Sequence, residues 1–348
     1  MSTSDKICKD GASKSNDDDV CEMNDMLQNM STTDKDIVVS VCANCGKEGD
    51  DINNICNKCK QVKYCNAICK KVHKKKHKKD CEEHCRLAAE KHNEELRIAA
   101  ELHDEKLFKQ PPQLLGDCPI CFQLLPTVDS GRRYMACCGK TICSGCIHAP
   151  LYDNQGNEVD NEKCPFCRTP HPKTNEEEVE RYNVRVEKDD PIAIYNLGCC
   201  YRDGIYGLPQ NYVKALELFH QAGDLGYAKA YVCIGYAYDI GQAVKVDEKK
   251  ANHYYELGAI GGDAMARHNL GVNEKQDGNM DRAVKHHVIA TRGGYADSLK
   301  GIKQLYSNGH ATKDDYTKAL QSYQEYLGEI KSKQRDEAAA ADEDQRYY

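Results

Sequence analysis

The 348-residue sequence has no long apolar run, no apolar leader and no overall excess of basic residues. Because no stretch of about 18 consecutive apolar residues occurs, we expect no segment that crosses a membrane. The opening residues, MSTSDKICKDGASKSNDDDV, contain no apolar core, so they predict a disordered acidic tail over residues 1–40 rather than a signal peptide. The net charge of −7 argues against nucleic acid as a partner outside one local lysine run.

Cysteine, in contrast, is abundant, with 21 residues in the chain. Without an export signal these thiols are expected in a reducing compartment, where clustered cysteines are more typical of metal sites than of disulfides. The chain is long enough for two or three domains, and its mean hydropathy of −0.75 is that of a soluble protein. We therefore expect a cytoplasmic multidomain protein, with the nucleus as the alternative location.

The first cysteine block runs from Cys42 to Cys81 and holds eight potential ligands in four pairs. Each C-x2-C loop bends the backbone so that two thiolates reach one ion, whereas pairs at i,i+4 lie on one side of a helix. Eight ligands are enough for two tetrahedral zinc ions, and a segment this short needs metal to fold. The ligands are Cys42, Cys45, Cys56, Cys59, Cys65, Cys69, His77 and Cys81.

In its pair spacing, its Tyr64-Cys65 dipeptide and its closing H-x3-C, the segment 42–81 resembles the MYND zinc finger over its whole length. In that family the pairs interleave. The resemblance therefore implies one zinc bound by Cys42, Cys45, Cys65 and Cys69 and another bound by Cys56, Cys59, His77 and Cys81. The aromatic residue common three positions before the ligand His is replaced by Lys74, and the chain has no Trp. Proline-containing peptides are the partners that the resemblance implies.

Seven lysines occur between Lys70 and Lys79. We interpret them as the solvent-facing positions of a helix whose register is set by Cys69, His77 and Cys81, while nuclear import and RNA contact are the alternatives. His73 lies one turn before His77 and is an alternative ligand. The succession of C-x3-C and H-x3-C favours His77.

The second block, from Cys118 to Cys167, contains CPIC, CCGKTICSGC and CPFC and again has the spacing of two zinc sites. With the closing CPxC and the basic residue after it, the segment 118–168 resembles a RING finger. The cross-brace of that family implies one zinc bound by Cys118, Cys121, Cys143 and Cys146 and a second bound by Cys137, Cys138, Cys164 and Cys167. About four zinc ions per chain are then expected, two in each finger.

The second of these sites departs from the common RING pattern, because Lys140 occupies the usual His position. Cys137 is our candidate for the vacant role, with His148 or His171 as alternatives. Adjacent residues of an extended chain point in opposite directions, so Cys137 and Cys138 need a bulge to reach one metal.

The RING resemblance implies an activity without a covalent nucleophile. Such a finger recruits a ubiquitin-conjugating enzyme and holds its ubiquitin thioester in a reactive conformation, so that a substrate lysine attacks. Ile120 and Pro165 match the docking surface of the family. Arg168 matches the linchpin, whose guanidinium bridges carbonyl oxygens of the enzyme and of ubiquitin.

Self-similarity at intervals of 32 to 37 residues follows in the second half, as in AIYNLG, AYVCIG and ARHNLG. About four helical hairpins fit residues 190–327, and their A-x3-LG and K-A signatures resemble Sel-one-like repeats (SLR), relatives of the tetratricopeptide repeat. Stacked hairpins bury a continuous core and present a surface for proteins. Small residues are expected to let paired helices approach closely, namely Gly198, Gly235, Gly271, Ala215, Ala251 and Ala283.

Two further segments connect or follow these domains. Residues 82–110 predict a connecting helix, with Leu96, Ala99, Ala100, His103 and Leu107 on one stripe docked on a finger. Residues 328–348 are charged and rich in alanine, which predicts a frayed helix or disorder.

The fold class expected is thus multidomain: two small zinc-stabilised fingers, MYND then cross-brace RING, followed by an all-α solenoid of helical hairpins. The leading hypothesis is a RING-type ubiquitin ligase in which the repeats and the first finger capture protein substrates or adaptors. The alternative is a scaffold without catalytic activity. A lysine methyltransferase is not favoured, because no SET-type motif and no unassigned length for that domain are seen.

Overall fold

The computed structural model describes residues 40–49, 52–109, 116–149 and 162–347. Nearly all of the expected N-terminal tail lies outside these residues. The chain divides into two compact units between Lys106 and Leu107. Among the described helices, none combines the length and the apolarity that a bilayer span requires.

The first unit contains a two-stranded antiparallel sheet and one long helix. Strand β1 (Asn54–Ile55) pairs with β2 (Lys63–Tyr64), and helix α1 spans Ala67–Phe108, so all but its last two residues lie in this unit. Its apolar core consists of Ile52 and Tyr64 packed with the Cys42 thiol. A core of this size stabilises the finger only a little, so most of its stability must come from metal bound by the surrounding cysteines.

The connecting helix is longer than predicted, and most of its expected docking stripe is exposed. α1 begins inside the first finger at Ala67, not at residue 82, because no Gly or Pro occurs through its 42 residues. Leu96 is 56% exposed and the stripe residues up to His103 are exposed as well, whereas Leu107 is buried among residues of the repeats and not on a finger. Ion pairs such as Arg97 with Glu94 and Glu101, at 2.6 and 2.5 Å, stabilise the solvated helix locally. The prediction that this stripe docks on a finger was wrong.

The second unit starts with a small hairpin domain. Strands β3 (Arg132–Met135) and β4 (Lys140–Cys143) pair antiparallel, with Arg132 opposite Cys143, and the short helix α2 (Ser144–His148) follows. Leu125, Met135 and Ile142 are buried among the thiols of the second cysteine block. This domain is the second finger.

Helical repeats form the rest of the second unit. Helix α3 (Asn175–Val186) leads into four consecutive helix pairs within residues 191–330. The pairs are α4 (Pro191–Asp203) with α5 (Tyr212–Asp224), α6 (Ala228–Ile240) with α7 (Glu248–Ile260), α8 (Ala264–Gln276) with α9 (Met280–Arg292), and α10 (Ala296–Ser307) with α11 (Lys313–Ile330). Side-chain caps fix several helix starts: Asp190 accepts from the N–H groups of Ile192 and Ala193, with Pro191 in the first turn.

The predicted close approach of paired helices at small residues is confirmed. A Cβ at Gly235 would lie 2.6 Å from the Tyr255 ring, and one at Gly198 would lie 2.8 Å from Phe219. Aromatic rings therefore occupy the space that these glycines leave, which brings the helix axes together and buries the rings.

The C-terminal segment is ordered, which contradicts the expected frayed or disordered tail over residues 328–348. Helix α12 (Lys333–Ala341) follows α11, with Arg335 fully buried and Tyr347 2% exposed. Tyr347 packs against Gly131 of the second finger, where a Cβ would lie 2.6 Å from its own Cβ. The prediction from composition failed because a charged and alanine-rich sequence gives no sign of contacts with residues about 200 positions earlier in the chain.

The buried histidine His286 makes the stability of the repeats dependent on pH. His286 is fully buried on α9, and burial, with Arg267, Arg282 and Lys285 nearby, lowers its pKa to about 3. Below pH 6.5 the unfolded chain binds a proton that folded His286 refuses, so acidification favours unfolding from pH 6.5 down to about 3. Lowering the pH from 7 to 5 should therefore cost about 2 kcal/mol through His286.

The substitution His286→Phe tests this contribution, because it keeps a ring against Phe108, whose centroid lies 4.7 Å away, and removes the titration. We expect denaturant melts of the variant at pH 7 and pH 5 to differ less than those of wild type, by about 2 kcal/mol. Acid effects on the cysteine sites are the same in both proteins, so they cancel when the pH-dependent change in unfolding free energy of the variant is subtracted from that of wild type. Equal pH dependence in both proteins would contradict the assignment.

Candidate metal centres

The first finger brings its eight predicted ligands into two groups of four. Within each group all ligand atoms lie within 4.8 Å of one another, and the pairs interleave as the resemblance implied. One group consists of Cys42, Cys45, Cys65 and Cys69, and the other of Cys56, Cys59, His77 and Cys81. Cys65 follows β2 and Cys69 opens α1, so the strand-to-helix turn places both thiols beside the first pair.

The spacing of the donor atoms fits a tetrahedral zinc ion. Sulfur atoms bound at about 2.3 Å to one tetrahedral zinc lie about 3.8 Å apart. The Cys65 Sγ lies 3.7 Å from Cys45 and 3.6 Å from Cys69. In the second group, Cys56 and Cys81 are 3.6 Å apart, and the Cys59 Sγ is 3.2 Å from the His77 Nε2.

Electrostatics also favours a thiolate in the first group. The backbone N–H of Cys65 is the main cause that lowers the pKa of the Cys42 thiol, to about 6. A thiol with that pKa is largely ionised at neutral pH, and the thiolate is the form that binds metal. The donor chemistry of the finger is thus suited to zinc.

His73, the alternative ligand, lies outside both groups. Its Nδ1 is hydrogen-bonded to the Tyr64 hydroxyl at 3.2 Å, and its ring stacks on His77 at 5.7 Å. His73 is therefore placed as a neighbour of the site, and His77 as the donor.

The second finger also gathers eight cysteines into two interleaved groups. The first comprises Cys118, Cys121, Cys143 and Cys146, and the second Cys137, Cys138, Cys164 and Cys167. The Cys121–Cys143 distance is 3.8 Å, while Cys138–Cys164 and Cys137–Cys167 are 4.0 and 3.4 Å. Hydrogen bonds from Cys143 and Cys146 lower the pKa of the Cys118 thiol, so this donor set holds a thiolate that a cation would bind.

A tight turn allows the adjacent residues Cys137 and Cys138 to reach one centre. Cys137 and Cys138 lie between β3 and β4, where the N–H groups of Cys138 and Gly139 both donate to the Met135 carbonyl, at 3.1 and 2.8 Å. Gly139 takes φ +68°, which a larger residue adopts only with strain. The turn therefore directs both thiols to one centre.

The alternative donors for this centre stay apart from it. His148 and His171 are not among the four residues that the described structure gathers there. Lys140, at the usual His position, opens β4 and is exposed.

Four of the five C-x2-C pairs, all except Cys143/Cys146, share one backbone turn, the zinc knuckle. The residue after the second cysteine is left-handed, with φ between +56° and +70°, and its N–H donates to the carbonyl of the first cysteine. For a non-glycine residue this conformation costs roughly 1–2 kcal/mol, which a metal bound by both thiolates would offset. The four residues are Gly46, Lys60, Phe122 and Arg168.

The predicted docking residues lie together with exposed aromatics on two of these knuckles. Ile120 is 37% exposed, Pro165 is partly buried and Arg168 is exposed. Phe122 and Phe166, which the sequence reasoning missed, are 78% and 43% exposed. An apolar side chain next to a C-x2-C pair is the signal that could have found them.

Sequence reasoning also missed two arginines that reach the second finger from helices outside it. Arg185 of α3 donates to the carbonyls of Ala136 and Cys137, both at 3.1 Å, and so holds the Cys137–Cys138 turn. Arg335 of α12 donates to the Leu124 carbonyl at 2.8 Å. No local pattern indicates either contact.

The finger is also fixed on the repeats. The Tyr134 hydroxyl donates to Asp190 at 2.7 Å, and the Lys229 Nζ lies 2.6 Å from both carboxylate oxygens of Asp129. Thr127 donates to the Gly293 carbonyl at 2.8 Å. These contacts hold the second finger in one orientation on the helices.

Comparisons with known proteins identify two of the modules. Residues 42–81 match the MYND finger family, which confirms that prediction and implies zinc binding there. Residues 191–227 and 228–263 each match the Sel1 repeat, which confirms the repeat prediction over two of the four helix pairs.

Among curated proteins, the chain resembles the ERAD-associated E3 ubiquitin-protein ligase component HRD3B of Arabidopsis thaliana. The two are 31% identical over 117 residues, which cover 33% of this chain and 18% of the relative. The chain thus spans less than a fifth of the length of the curated relative it matches.

Two solved structures are similar over about half of the chain. A Sel1 repeat protein from Oxalobacter formigenes is 27% identical with a TM-score of 0.38, and the match covers 48% of this chain and 64% of that one. A protective antigen of uropathogenic Escherichia coli with an SLR fold is 18% identical with a TM-score of 0.39, over 49% and 37% of the two chains. The chain thus joins a MYND finger to Sel1 repeats that form a helical solenoid.

Proposed function

We propose that this chain is a zinc-binding RING-type ubiquitin-protein ligase. The observation that carries the proposal is the second finger, in which two interleaved groups of four thiols lie beside an exposed apolar and basic surface. Interleaving is what a cross-brace requires, and with the MYND finger it gives four zinc ions per chain.

The chemistry needs no nucleophile from this chain. Ile120, with the exposed Phe122 and Phe166, offers the apolar area for a ubiquitin-conjugating enzyme, and Pro165 shapes the second knuckle. Arg168 has a left-handed backbone conformation and is exposed, so its guanidinium is available to donate to carbonyls of the enzyme and of ubiquitin. The rate gain would come from holding the thioester in a reactive conformation.

In this proposal the repeats bind the protein substrates or adaptors. A cleft of about 260 Å³ between α4, α5, α6 and α8 is lined mainly by apolar groups, among them Tyr212, Phe219, Tyr236 and Met265. Because the finger is fixed on the same helices, a protein held there would stay at a constant distance from the docking surface. The first finger adds a second capture module, with proline-containing peptides as its proposed ligands.

A scaffold without catalytic activity is the second candidate. Its support is the resemblance to a protein described as a component of a ligase and the Lys140 in place of the usual His. In this reading the fingers and repeats only assemble other proteins.

Autoubiquitination with a panel of conjugating enzymes separates the two. We expect ubiquitin chains from the wild type, weaker activity from Arg168→Ala and none from Cys164→Ser, because the last change breaks a metal site. Arg133→Ala is the matched control, since Arg133 is exposed on β3 of the same finger. Metal analysis must show full zinc in wild type, Arg168→Ala and Arg133→Ala. A wild type with four zinc ions and no activity would favour the scaffold.

A further inference from the structure

A buried arginine outside the second finger points its guanidinium at one of the finger's thiol groups. Arg335 of α12 is fully buried. Its Nη1 donates to the carbonyls of Leu124 and Ile330, at 2.8 and 2.6 Å, and its Nη2 lies 4.0 Å from the Cys121 Sγ and 3.5 Å from the Gln123 carbonyl. Three of these four partners belong to the knuckle that begins at Cys118 or to the residues just after it.

The packing of α12 keeps this side chain in place. A Cβ at Gly145 would lie 2.8 Å from the backbone nitrogen of Arg335, so α12 rests directly on the short helix that supplies Cys146. Further along the segment Tyr347 packs on Gly131. These contacts hold the C-terminal segment against the finger, so the buried guanidinium of Arg335 is not free to turn to solvent.

Burying this cation needs a negative partner. The partners of Arg335 in the described residues are carbonyl oxygens and the thiols of Cys121 and Cys143, with no carboxylate among them. A guanidinium buried without a counter-charge is costly. Four thiolates around one Zn²⁺ carry a net charge of −2, and Cys121 is one of those four donors.

We propose that Arg335 is a positioning residue of the metal centre formed by Cys118, Cys121, Cys143 and Cys146. It neutralises part of the tetrathiolate charge and holds the first knuckle through the carbonyls of Gln123 and Leu124. The C-terminal segment is then part of the finger. This inference rests on zinc in the second finger, which belongs to the proposed function, but not on ligase activity.

The test uses the full chain loaded with zinc. The chain is challenged with the chelator 4-(2-pyridylazo)resorcinol, exposed thiols are alkylated with N-ethylmaleimide at intervals, and peptide mapping reports which cysteines have lost metal. We expect Arg335→Met, which keeps much of the volume but not the charge, to release zinc from the Cys118 group about tenfold faster than wild type or more. The group that contains Cys164 should release zinc at the wild-type rate.

Two variants make the assignment specific. Arg335→Lys keeps the charge, so its release rate should lie nearer to wild type than to Arg335→Met, a difference that a purely space-filling role would not give. Arg346→Met is the matched control, because Arg346 is exposed and pairs with Glu343 on the same segment. It should release zinc as wild type does.

Several results would overturn the inference. They are unchanged release from the Cys118 group in Arg335→Met, equal acceleration of both groups, and a Lys variant as fast as the Met variant. A wild type without zinc in the second finger would remove the inference together with the proposed function. A wild type that holds zinc there but makes no ubiquitin chains would refute the ligase and leave the role of Arg335 to be decided by the release rates.

Discussion

Removal of zinc is expected to unfold the first finger while the helices of the repeats stay folded. The finger has two strands of two residues each and an apolar core built on Ile52 and Tyr64. In small fingers a structural zinc supplies about 10–16 kcal/mol of apparent folding free energy. Nothing in the described core of this finger replaces a contribution of that size.

The repeats respond differently because their stability comes from packing. Their core contains residues such as Ile194, Phe219, Tyr255 and Ile302, and none of the four described ligand groups lies on these helices. Burial of such side chains stabilises each by about 1.5–3 kcal/mol without metal.

Hydrogen exchange measured by mass spectrometry before and after chelation checks this contrast. Peptides within residues 42–66 should lose protection and regain it when zinc is added back, whereas peptides from α4 to α9 should keep theirs. Metal analysis confirms that the ion has gone. Full protection of residues 42–66 in zinc-free protein would contradict the prediction.

The second large effect is expected from Tyr255→Ala in the repeats. Tyr255 is 1% exposed, and its ring fills the space beside Gly235, where a Cβ would lie only 2.6 Å away. The hydroxyl donates to Asp239 at 3.4 Å. Truncation leaves a cavity between the two helices of this pair that backbone movement cannot readily close, so we expect a loss of about 3–5 kcal/mol.

Tyr236→Ala is the matched control, because this tyrosine lies on the neighbouring helix and is 50% exposed. Its removal should cost less than about 1 kcal/mol. Denaturant melts monitored by circular dichroism at 222 nm give both values. A Tyr255→Ala protein as stable as Tyr236→Ala would show that the ring is not part of the core that resists unfolding.

Much of both fingers could be predicted because their ligands are set by local spacing. Four of the five C-x2-C pairs form a knuckle within five residues, and the i,i+4 pairs Cys65/Cys69 and His77/Cys81 specify a helical face. The interleaving of the pairs was predicted from the family resemblance, and the structure brings together the same four groups of ligands. The turn at Cys137–Cys138 was foreseen as a need for a bulge, but the hold of Arg185 on it was not.

The features that sequence reasoning missed depend on distant residues. Composition made 328–348 a solvated tail, yet Arg335 and Tyr347 are buried against a finger about 200 positions earlier. The predicted start of the connecting helix at residue 82 was wrong for a local reason. The end of the first finger was taken as the end of an element, although no Gly or Pro interrupts the chain from Ala67 to Phe108.

The burial of Arg335 also imposes an order of events on biosynthesis. Cys167 completes the thiols of the second finger, and Arg335 follows about 170 residues later. At translation rates of about 5–20 residues per second, roughly 10–30 seconds separate the two on the ribosome. During that interval the nascent finger holds its thiols without the arginine that faces Cys121. Ribosome-bound chains are then expected to exchange zinc more readily than the released protein.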